Sequence, residues 1–370
     1  MKKIAFVIGT RPEGIKLAPL INCMKNEFSD VFTPFVISTG QHTQILDDVF
    51  NLFNITPDIT LIIDRSNSSL SSLQAQLVQS LEETFIKESP DIVVVQGDTH
   101  STLSGAMAAF YQKIPIAYVE SGLRSANLYE PFPEEANRKM ITQLTKWHFT
   151  PTAKATNVLK AEGVQENVFE VGNTVIDALM YVKSNFIKNN DIAHPYISLR
   201  NNNRKMMLIT VHRRENWGSG LRHIISAVKQ LLVTYKDLDI VWLTHPNPDI
   251  VKLVDESLGS TKNVFIYPPV NYVELVQLMN LSTIILTDSG GIQEEAPSLN
   301  KPVLVARDVT ERMEGVDAGC ARLVGTNVDS IVKNVSDLLD SEDCYNEMMG
   351  VKNPYGDGTS SSQILNVLSR

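Results

Sequence analysis

The chain has 370 residues, of which 43% are hydrophobic and 20% charged, and its formal net charge is −9 at pH 7. This length favours about two globular domains, since a domain usually takes roughly 100–200 residues. The acidic balance argues against a general nucleic-acid-binding surface, and no apolar run is long enough to span a bilayer. An anionic ligand would therefore need a local basic cluster, and neither a nucleic acid nor a membrane is expected as a partner.

The N-terminal segment MKKIAFVIGTRPE places two lysines before an apolar run, as a signal peptide does. This run is short and meets the charged sequence RPE instead of a small-residue cleavage site, so it predicts a first strand. The three cysteines, Cys23, Cys320 and Cys344, are widely spaced and odd in number. They favour a reducing cytoplasm and provide neither a disulfide framework nor a metal motif.

Short apolar segments alternate with helical stretches along the chain, which is typical of parallel α/β sheets. The first half supplies the predicted strands KIAFVI, TPFVIS, DIVVVQ, IPIAYV, KWHFT and VFEV, and the second half supplies MMLITV, DIVWLT, NVFIY, TIILT and PVLVA. Between the halves, the polar stretch KSNFIKNNDIAHPYISLRNNNRK predicts a linker. We therefore predict two Rossmann-like, doubly wound domains facing each other across a cleft. The expected domains are residues 1–171, joined by a C-terminal helix at 358–370, and residues 172–357.

Charged residues follow several predicted strands of the first half. The first strand leads into GTRPEGIKLAPL, which lacks a GxGxxG dinucleotide fingerprint and places Arg11 and Lys16 near the strand end. Asp98 follows the third strand, Glu120 follows the fourth, and Glu134 begins a helix after PFP. Each acid alone has an ordinary explanation as a helix cap or a dipole partner. Three carboxylates at one sheet edge favour acid–base chemistry, because neighbouring carboxylates raise one another's pKa.

In the second half, TIILTDSGGIQEEAPSL predicts a buried strand, a small-residue turn and a helix start. Ser289, Gly290 and Gly291 form the turn, where free backbone N–H groups and the helix dipole favour an anion. Glu294 and Glu295 fall in the first helical turn and could accept hydrogen bonds from a ribose diol. Such a motif, taken alone, is as well explained by chain reversal and dipole stabilisation.

Further cations stand at strand ends of the second half. His212 and Arg213 follow MMLITV, and His245 follows DIVWLT. A lone histidine after a strand is more often structural than catalytic, but two of them beside a phosphate-type turn favour an anion site. Arg312, in RDVTERMEG, could reach a phosphate or merely pair with Glu311.

Together these segments resemble the motifs of bacterial non-hydrolysing UDP-N-acetylglucosamine 2-epimerases. The matching segments, in order over essentially the whole chain, are GTRPEGIKLAPL, QGDTHST, VESGLRS, PFPEEANR, VGNTVIDAL, HRREN, THPNP, TDSGGIQEEAPSLNKPVLVARDVTER and NPYGDG. The resemblance implies a glycosyltransferase-B-like fold, a homodimer and no metal or other cofactor. It also implies interconversion of UDP-N-acetylglucosamine (UDP-GlcNAc) and UDP-N-acetylmannosamine (UDP-ManNAc) through 2-acetamidoglucal and UDP, for surface polysaccharide synthesis.

The resemblance also assigns roles to single residues. Catalytic roles fall on Asp98, Glu120, Glu134 and His212. Contacts with UDP fall on Arg11, Lys16, His245, Ser289, Gly290, Gly291, Glu295 and Arg312.

Many bacterial members of the family also have an activating UDP-GlcNAc site. Its QHxQ pattern matches Gln41, His42 and Gln44, and Arg65 and Arg213 resemble its other contacts. A polar loop that caps the next helix is the alternative explanation. If the site operates, UDP-ManNAc alone will turn over poorly until UDP-GlcNAc is added.

Three residues depart from the family pattern, namely Gly14, Ser121 and Pro246, and none has a charged role. They leave the exact sugar open. Three other functions also stay open: a hydrolysing epimerase that releases N-acetylmannosamine, a retaining glycosyltransferase of the same fold, and a nucleotide-sugar sensor without turnover. The three carboxylates favour the epimerase over the transferase, which does not need them.

Overall fold

A computed structural model describes most of the chain. The described residues are 1–40, 43–64, 66, 69–125, 127–187, 194–199 and 204–370. They pack as two compact units, Met1–Ala178 with Tyr355–Arg370, and Leu179–Pro354. The domain boundaries expected from the sequence stay a prediction, which limited proteolysis would test. In the described part of the chain, no helix has the length and apolarity needed to cross a membrane.

The first unit contains a seven-stranded parallel sheet. Its strands are β1 (Lys2–Ile8), β2 (Phe32–Ser38), β3 (Ile59–Thr60), β4 (Ile92–Gln96), β5 (Ile116–Val119), β6 (Trp147–Thr150) and β7 (Val168–Glu170). They lie in the order β3-β2-β1-β4-β5-β6-β7, so the winding direction reverses between β1 and β4. Ligands of doubly wound sheets bind at this reversal, beyond the carboxyl ends of the strands.

Six helices in the described residues connect these strands, and a seventh follows β7. They are α1 (Arg11–Glu27), α2 (Thr43–Leu52), α3 (Leu70–Glu88), α4 (His100–Tyr111), α5 (Glu134–Leu144), α6 (Ala153–Ala161) and α7 (Thr174–Val182). Local sequence explains several starts: Thr10 and Glu13 form a capping box on α1, and the Thr99 hydroxyl caps α4 by accepting the N–H of Thr102. Such caps satisfy N–H groups that have no partner within the helix.

The second unit contains a six-stranded parallel sheet. Its strands are β8 (Lys205–Thr210), β9 (Leu238–Leu243), β10 (Val264–Tyr267), β11 (Ile284–Thr287), β12 (Val303–Val305) and β13 (Ala321–Leu323). The order is β10-β9-β8-β11-β12-β13, so the reversal lies between β8 and β11. Two doubly wound parallel sheets confirm the predicted fold class.

The helices of the second unit follow the same alternation. They are α8 (Pro195–Leu199), α9 (Ser219–Thr234), α10 (Pro248–Leu258), α11 (Tyr272–Leu281), α12 (Gly290–Glu295), α13 (Met313–Ala318), α14 (Val328–Asp340) and α15 (Glu342–Met349), and α16 (Ser360–Ser369) then packs on α1 in the first unit. Two 3₁₀ turns, Arg214–Asn216 and Ala296–Leu299, and a π-helical turn at Lys183–Ile187 complete the set. The predicted linker is therefore partly helical, at the π-helical turn and at α8.

Both sheets are buried by apolar side chains. The central strands β1, β4, β8 and β11 are almost fully buried, as their unbroken apolar sequences predict. Each large apolar side chain removed from water contributes about 1.5–3 kcal/mol of transfer free energy. The strands β3 and β13 were not predicted. They lie at sheet edges and have only two and three residues, and such short strands show no recognisable sequence pattern.

Candidate active site

Three carboxylates gather beyond the carboxyl ends of β4 and β5 in the first unit. Asp98 lies on the loop after β4, Glu120 directly follows β5, and Glu134 is the first residue of α5. Burial raises the pKa of Asp98, and although Arg138 opposes this, the charges of Glu120 and Glu134 raise it further. The sequence prediction that these three acids share one sheet edge therefore agrees with their placement.

Glu120 is held by donors on several sides. Its carboxylate accepts hydrogen bonds from the Lys16 ammonium at 2.5 Å, from the Gln96 amide, and from the Asn173 amide at 3.2 Å. Its backbone is left-handed, with φ of 65°, which residues other than glycine seldom adopt. Three donors stabilise a negative charge, and the unusual backbone aims the side chain where a regular strand would not.

Asp98 combines burial with a strong ion pair. Its Oδ2 lies 2.7 Å from Nη1 of Arg138, and about a third of its side chain stays exposed. Asn137 also donates to the Asp98 carbonyl at 2.8 Å, which fixes the loop on α5. Asp98 is thus partly accessible, and burial favours its protonated form.

The two neighbouring glutamates at the start of α5 differ in their surroundings. Glu135 is fully buried and its Oε2 accepts from Arg138 at 2.7 Å and from the Ser125 N–H at 3.0 Å. The Oε2 atom of Glu134 is buried without a hydrogen-bond partner among the described residues. The Oε1 atom of Glu135 is likewise buried without such a partner, so what distinguishes Glu135 is its ion pair with Arg138.

Glu13 joins the two loops at the sheet reversal, a role that the sequence analysis missed. Its carboxylate accepts from the N–H groups of Gly9 at 2.6 Å and Thr10 at 2.8 Å, and from the hydroxyls of Thr99 and Thr102. Burial raises its pKa, against the effect of these hydrogen bonds. The TxxE capping-box spacing at Thr10 was the available signal.

Arg11 and Lys16, the two cations predicted for the first unit, lie in different surroundings. Arg11 is the first residue of α1, directly after the β1 loop. Lys16, one turn later, is engaged by Glu120. In this structure Lys16 therefore belongs to the carboxylate cluster of the first unit.

The small-residue turn that was expected to hold phosphate, Ser289 to Gly291, follows β11 in the second unit. A Cβ added to Gly290 would lie 3.1 Å from Cζ of Arg312, so the guanidinium packs directly over this glycine. Arg312 is also ion-paired through Nε with the buried Glu294 at 3.0 Å, while Glu311 lies 3.9 Å from its Nη1. Because α12 has only six residues before the 3₁₀ turn, its dipole is small, and the Arg312 guanidinium is the nearby group with a full positive charge that the structure places on this turn.

Glu295 lies at the end of α12 and is buried. Its Oε1 accepts from the hydroxyl of Tyr272, the first residue of α11, at 2.5 Å. Tyr272 comes from the YPPVNYVEL segment, which had no specific assignment in the sequence. The contact places α11 beside the residue that was expected to bind ribose.

His212 stands on the loop after β8, at the sheet reversal. Asp288, fully buried directly after β11, accepts from the N–H groups of His212 and Arg213 and from the Asn216 amide at 2.9–3.1 Å. The His212 Nδ1 lies 3.2 Å from Asp288 Oδ1, and 46% of the His212 side chain is exposed. Asp288 thus fixes the loop and orients the ring, while much of the imidazole stays accessible.

His245 follows β9 and has a defined tautomer. Its Nδ1 accepts the backbone N–H of Asn247 at 3.0 Å, so in the neutral ring the proton is on Nε2. The ring packs edge-on against Trp217, with centroids 5.3 Å apart. His245 therefore offers an N–H donor from a fixed ring.

Arg307, after β12, ties two loops together. Its guanidinium pairs with Glu215 at 2.7 Å and with Glu311 at 2.9 Å. Burial alone would raise the pKa of Glu311, but its bonds to Arg307 lower it from 4.5 to about 2. A lowered acid pKa stabilises the fold above pH 4.5, and this contribution is lost as the pH falls towards 2.

We expect Glu311→Gln to be less stable than wild type at pH 7, by about 1 kcal/mol or less because the pair is half exposed. This difference will shrink as the pH falls from 4.5 towards 2. Urea unfolding at a series of pH values measures it, with the exposed Glu347→Gln as control. A difference that grows in acid would contradict the assignment.

Only some of the residues expected to form the regulatory site lie in the described part of the chain. Gln41, His42 and Arg65 lie outside the described residues. Gln44 lies in α2, and its side chain is also outside the description. Arg213 is half-buried, and its backbone N–H donates a hydrogen bond to the Asp288 carboxylate.

Comparisons with known proteins agree on one family. The family model described as UDP-N-acetylglucosamine 2-epimerase matches residues 25–369. The UDP-N-acetylglucosamine 2-epimerase of Escherichia coli K12 is 43% identical over 99% of this chain and 98% of its own length.

Solved structures extend this agreement. The UDP-GlcNAc 2-epimerase of Neisseria meningitidis bound to UDP-GlcNAc superposes with a TM-score of 0.89 at 42% identity, covering 99% of each chain. The enzyme of Methanocaldococcus jannaschii in complex with UDP-GlcNAc and UDP gives 0.79 at 34% identity, again with 99% of each chain covered. The chain described here therefore belongs to the UDP-N-acetylglucosamine 2-epimerase family.

Proposed function

We propose that this protein interconverts UDP-GlcNAc and UDP-ManNAc by epimerisation at C2, without releasing the free sugar. The observation that carries the proposal is the cluster of Asp98, Glu120 and Glu134 at one sheet edge. Epimerisation at an unactivated carbon needs one group that removes a proton and another that returns it on the opposite face. A transferase or a simple binding protein has no use for such a set.

The surroundings of the three acids differ in the way that this chemistry requires. Donors surround Glu120 and favour its charged form, whereas burial and neighbouring carboxylates raise the pKa of Asp98. Glu134 keeps a buried oxygen without a partner among the described residues. Acids whose environments differ can hold a proton at one position while another accepts one.

The chemical steps balance without an added reagent. A carboxylate takes the C2 proton while the C1–oxygen bond breaks and the electron pair leaves with UDP. The products are 2-acetamidoglucal and UDP, and the proton stays on the enzyme. UDP then adds back at C1, and C2 receives a proton on its other face.

In this proposal the second unit holds the leaving group. The turn amides of Ser289 to Gly291, the Arg312 guanidinium and the Nε2–H of His245 are suited to a diphosphate. His212, oriented by Asp288, would support the negative charge that develops on UDP. Glu295 is proposed for the ribose, beside Tyr272.

We expect Arg312→Ala to weaken UDP binding about tenfold to a hundredfold, since a charge-assisted bond to phosphate is lost. Arg312→Lys will recover only part of the affinity, because an ammonium cannot reproduce the guanidinium fork. Isothermal titration with UDP measures both, and Arg222→Ala, on the exposed face of α9, is the matched control. Unchanged UDP affinity in Arg312→Ala would remove this residue from the site.

Product analysis tests the function directly. Purified protein is incubated with UDP-GlcNAc alone, without an acceptor, and followed by proton NMR. The proposal predicts signals of UDP-ManNAc at a constant total of nucleotide sugar. Free N-acetylmannosamine appearing in step with UDP would instead indicate the hydrolysing type, and tight binding without turnover would indicate a sensor.

The wider setting rests on the family resemblance. We propose a cytoplasmic homodimer whose product enters bacterial surface polysaccharide synthesis. We also propose activation by UDP-GlcNAc at the residues assigned to a regulatory site. These points stay predictions.

A further inference from the structure

We infer that Asn173 is a positioning residue for the reaction, and that the returning C-terminal segment, residues 355–361, holds it in place. Asn173 would fix Glu120 as a charged carboxylate in the orientation that the reaction uses. This inference rests on the proposed function and adds a residue to which no role has been assigned. The contacts on which the inference rests lie within the first unit.

The orientation of the Asn173 amide is fixed by its neighbours. The side chain is 2% exposed, and one amide atom accepts the backbone N–H of Val175 at 3.1 Å. A backbone N–H can only donate, so that atom is Oδ1. The other atom is therefore the NH₂ group, which lies 3.2 Å from Oε1 of Glu120 and donates to it.

The C-terminal segment holds the backbone around Asn173. The Asn173 N–H donates to the Tyr355 carbonyl at 2.7 Å. Gly172, with φ of 86°, packs so closely that an added Cβ would lie 3.2 Å from Cα of Gly356. Only a glycine fits this conformation and this approach without strain.

A second contact holds the same segment a few residues further on. The buried carboxylate of Asp177, in α7, accepts the N–H groups of Ser360 at 3.3 Å and Ser361 at 2.7 Å. These N–H groups belong to the start of α16 and have no partner within that helix. The chain around Asn173 is therefore attached at both ends to residues about 180 positions later.

Glu120 has a particular need for such support. Its left-handed backbone is unfavourable for a glutamate and persists only where surrounding contacts enforce it. Lys16 and Gln96 reach the carboxylate from α1 and β4, and Asn173 reaches it from the chain that follows β7. A donor at this point favours the charge and fixes the carboxylate at the same time.

Two substitutions separate positioning from folding. Asn173→Ser keeps an oxygen that can accept the Val175 N–H but is too short to reach Glu120. Asn173→Asp keeps the shape and the acceptor and replaces the donor with a second carboxylate. We expect kcat to fall about tenfold or more in the first and further in the second, with UDP affinity near wild type in both. The melting temperature should stay near wild type in Asn173→Ser and fall at neutral pH in Asn173→Asp, because two buried carboxylates repel each other.

The pH dependence gives a reading that a purely structural role would not produce. At neutral pH the introduced carboxylate of Asn173→Asp repels Glu120. As the pH falls through its pKa, this group gains a proton and becomes a donor, so the activity relative to wild type will rise. Asn157→Asp, which adds the same charge at an exposed position of α6, will keep the wild-type profile.

Combination with Glu120→Gln completes the test. If Asn173 acts through Glu120, Asn173→Ser will add little to the loss already caused by Glu120→Gln, whereas independent effects would multiply. Multiplicative losses in the double variant, or a wild-type pH profile in Asn173→Asp, would overturn this inference. The proposed function would still stand in that case, provided that the wild-type chain epimerises UDP-GlcNAc. A wild-type chain that does not epimerise UDP-GlcNAc would overturn both.

Discussion

Replacing any one of Asp98, Glu120 or Glu134 by its amide is expected to lower epimerisation by about 10²–10⁴-fold while UDP still binds. The amides keep nearly the same size and can hydrogen-bond, but they cannot accept a proton from C2 or return one. Because the three acids belong to the first unit and the proposed phosphate contacts to the second, catalysis and UDP affinity should separate cleanly.

Initial rates and UDP titration on the same preparations test this expectation. Glu166→Gln, exposed on the loop before β7, is the matched control and should behave as wild type. Glu135→Gln offers a sharper contrast, since Glu135 is paired with Arg138 and should mainly lower stability. Wild-type rates in the three amide variants would end the acid–base proposal.

Asp288→Ala is expected to lower the free energy of unfolding by about 3–5 kcal/mol and to remove most activity. The carboxylate accepts the N–H groups of His212 and Arg213 and the amide of Asn216, and alanine leaves these donors without their partner. Each buried donor left without a partner costs about 1–3 kcal/mol. The loop that carries His212 would then no longer be fixed.

A second buried aspartate in the same unit serves as a control that separates the loss of stability from the loss of activity. Asp239 is paired with Arg204 at 2.6 Å and accepts from the Tyr196 hydroxyl at 2.9 Å. Asp239→Ala should be destabilised to a similar degree, yet stay active at temperatures where it is folded. If Asp288→Ala keeps comparable activity when folded, the role assigned to Asp288 is wrong.

Much of the fold could be predicted because its signals are local. Long apolar strands and the alternation with helices indicate doubly wound sheets, and parallel strands bring the residues at their carboxyl ends to one edge. That reasoning placed Asp98 and Glu120 on neighbouring strand ends, where they are found. The short edge strands β3 and β13 have no such pattern and were missed.

The side-chain contacts of Glu13, Lys16 and Asn173 could not be predicted, because each is made with a partner distant in the sequence. Glu13 meets Thr99, which lies 86 residues later, and Lys16 meets Glu120, which lies 104 residues later. A capping box or a lysine in a helix gives no indication of which loop will fold against it. Only the three-dimensional arrangement supplies these pairs.

The most direct test is deuterium incorporation at C2 during turnover of UDP-GlcNAc in deuterated water, followed by proton NMR and mass spectrometry. Removal and return of a proton at C2 predict one deuterium at that carbon in the UDP-ManNAc formed. UDP-ManNAc that accumulates with its original hydrogen at C2 would contradict the account.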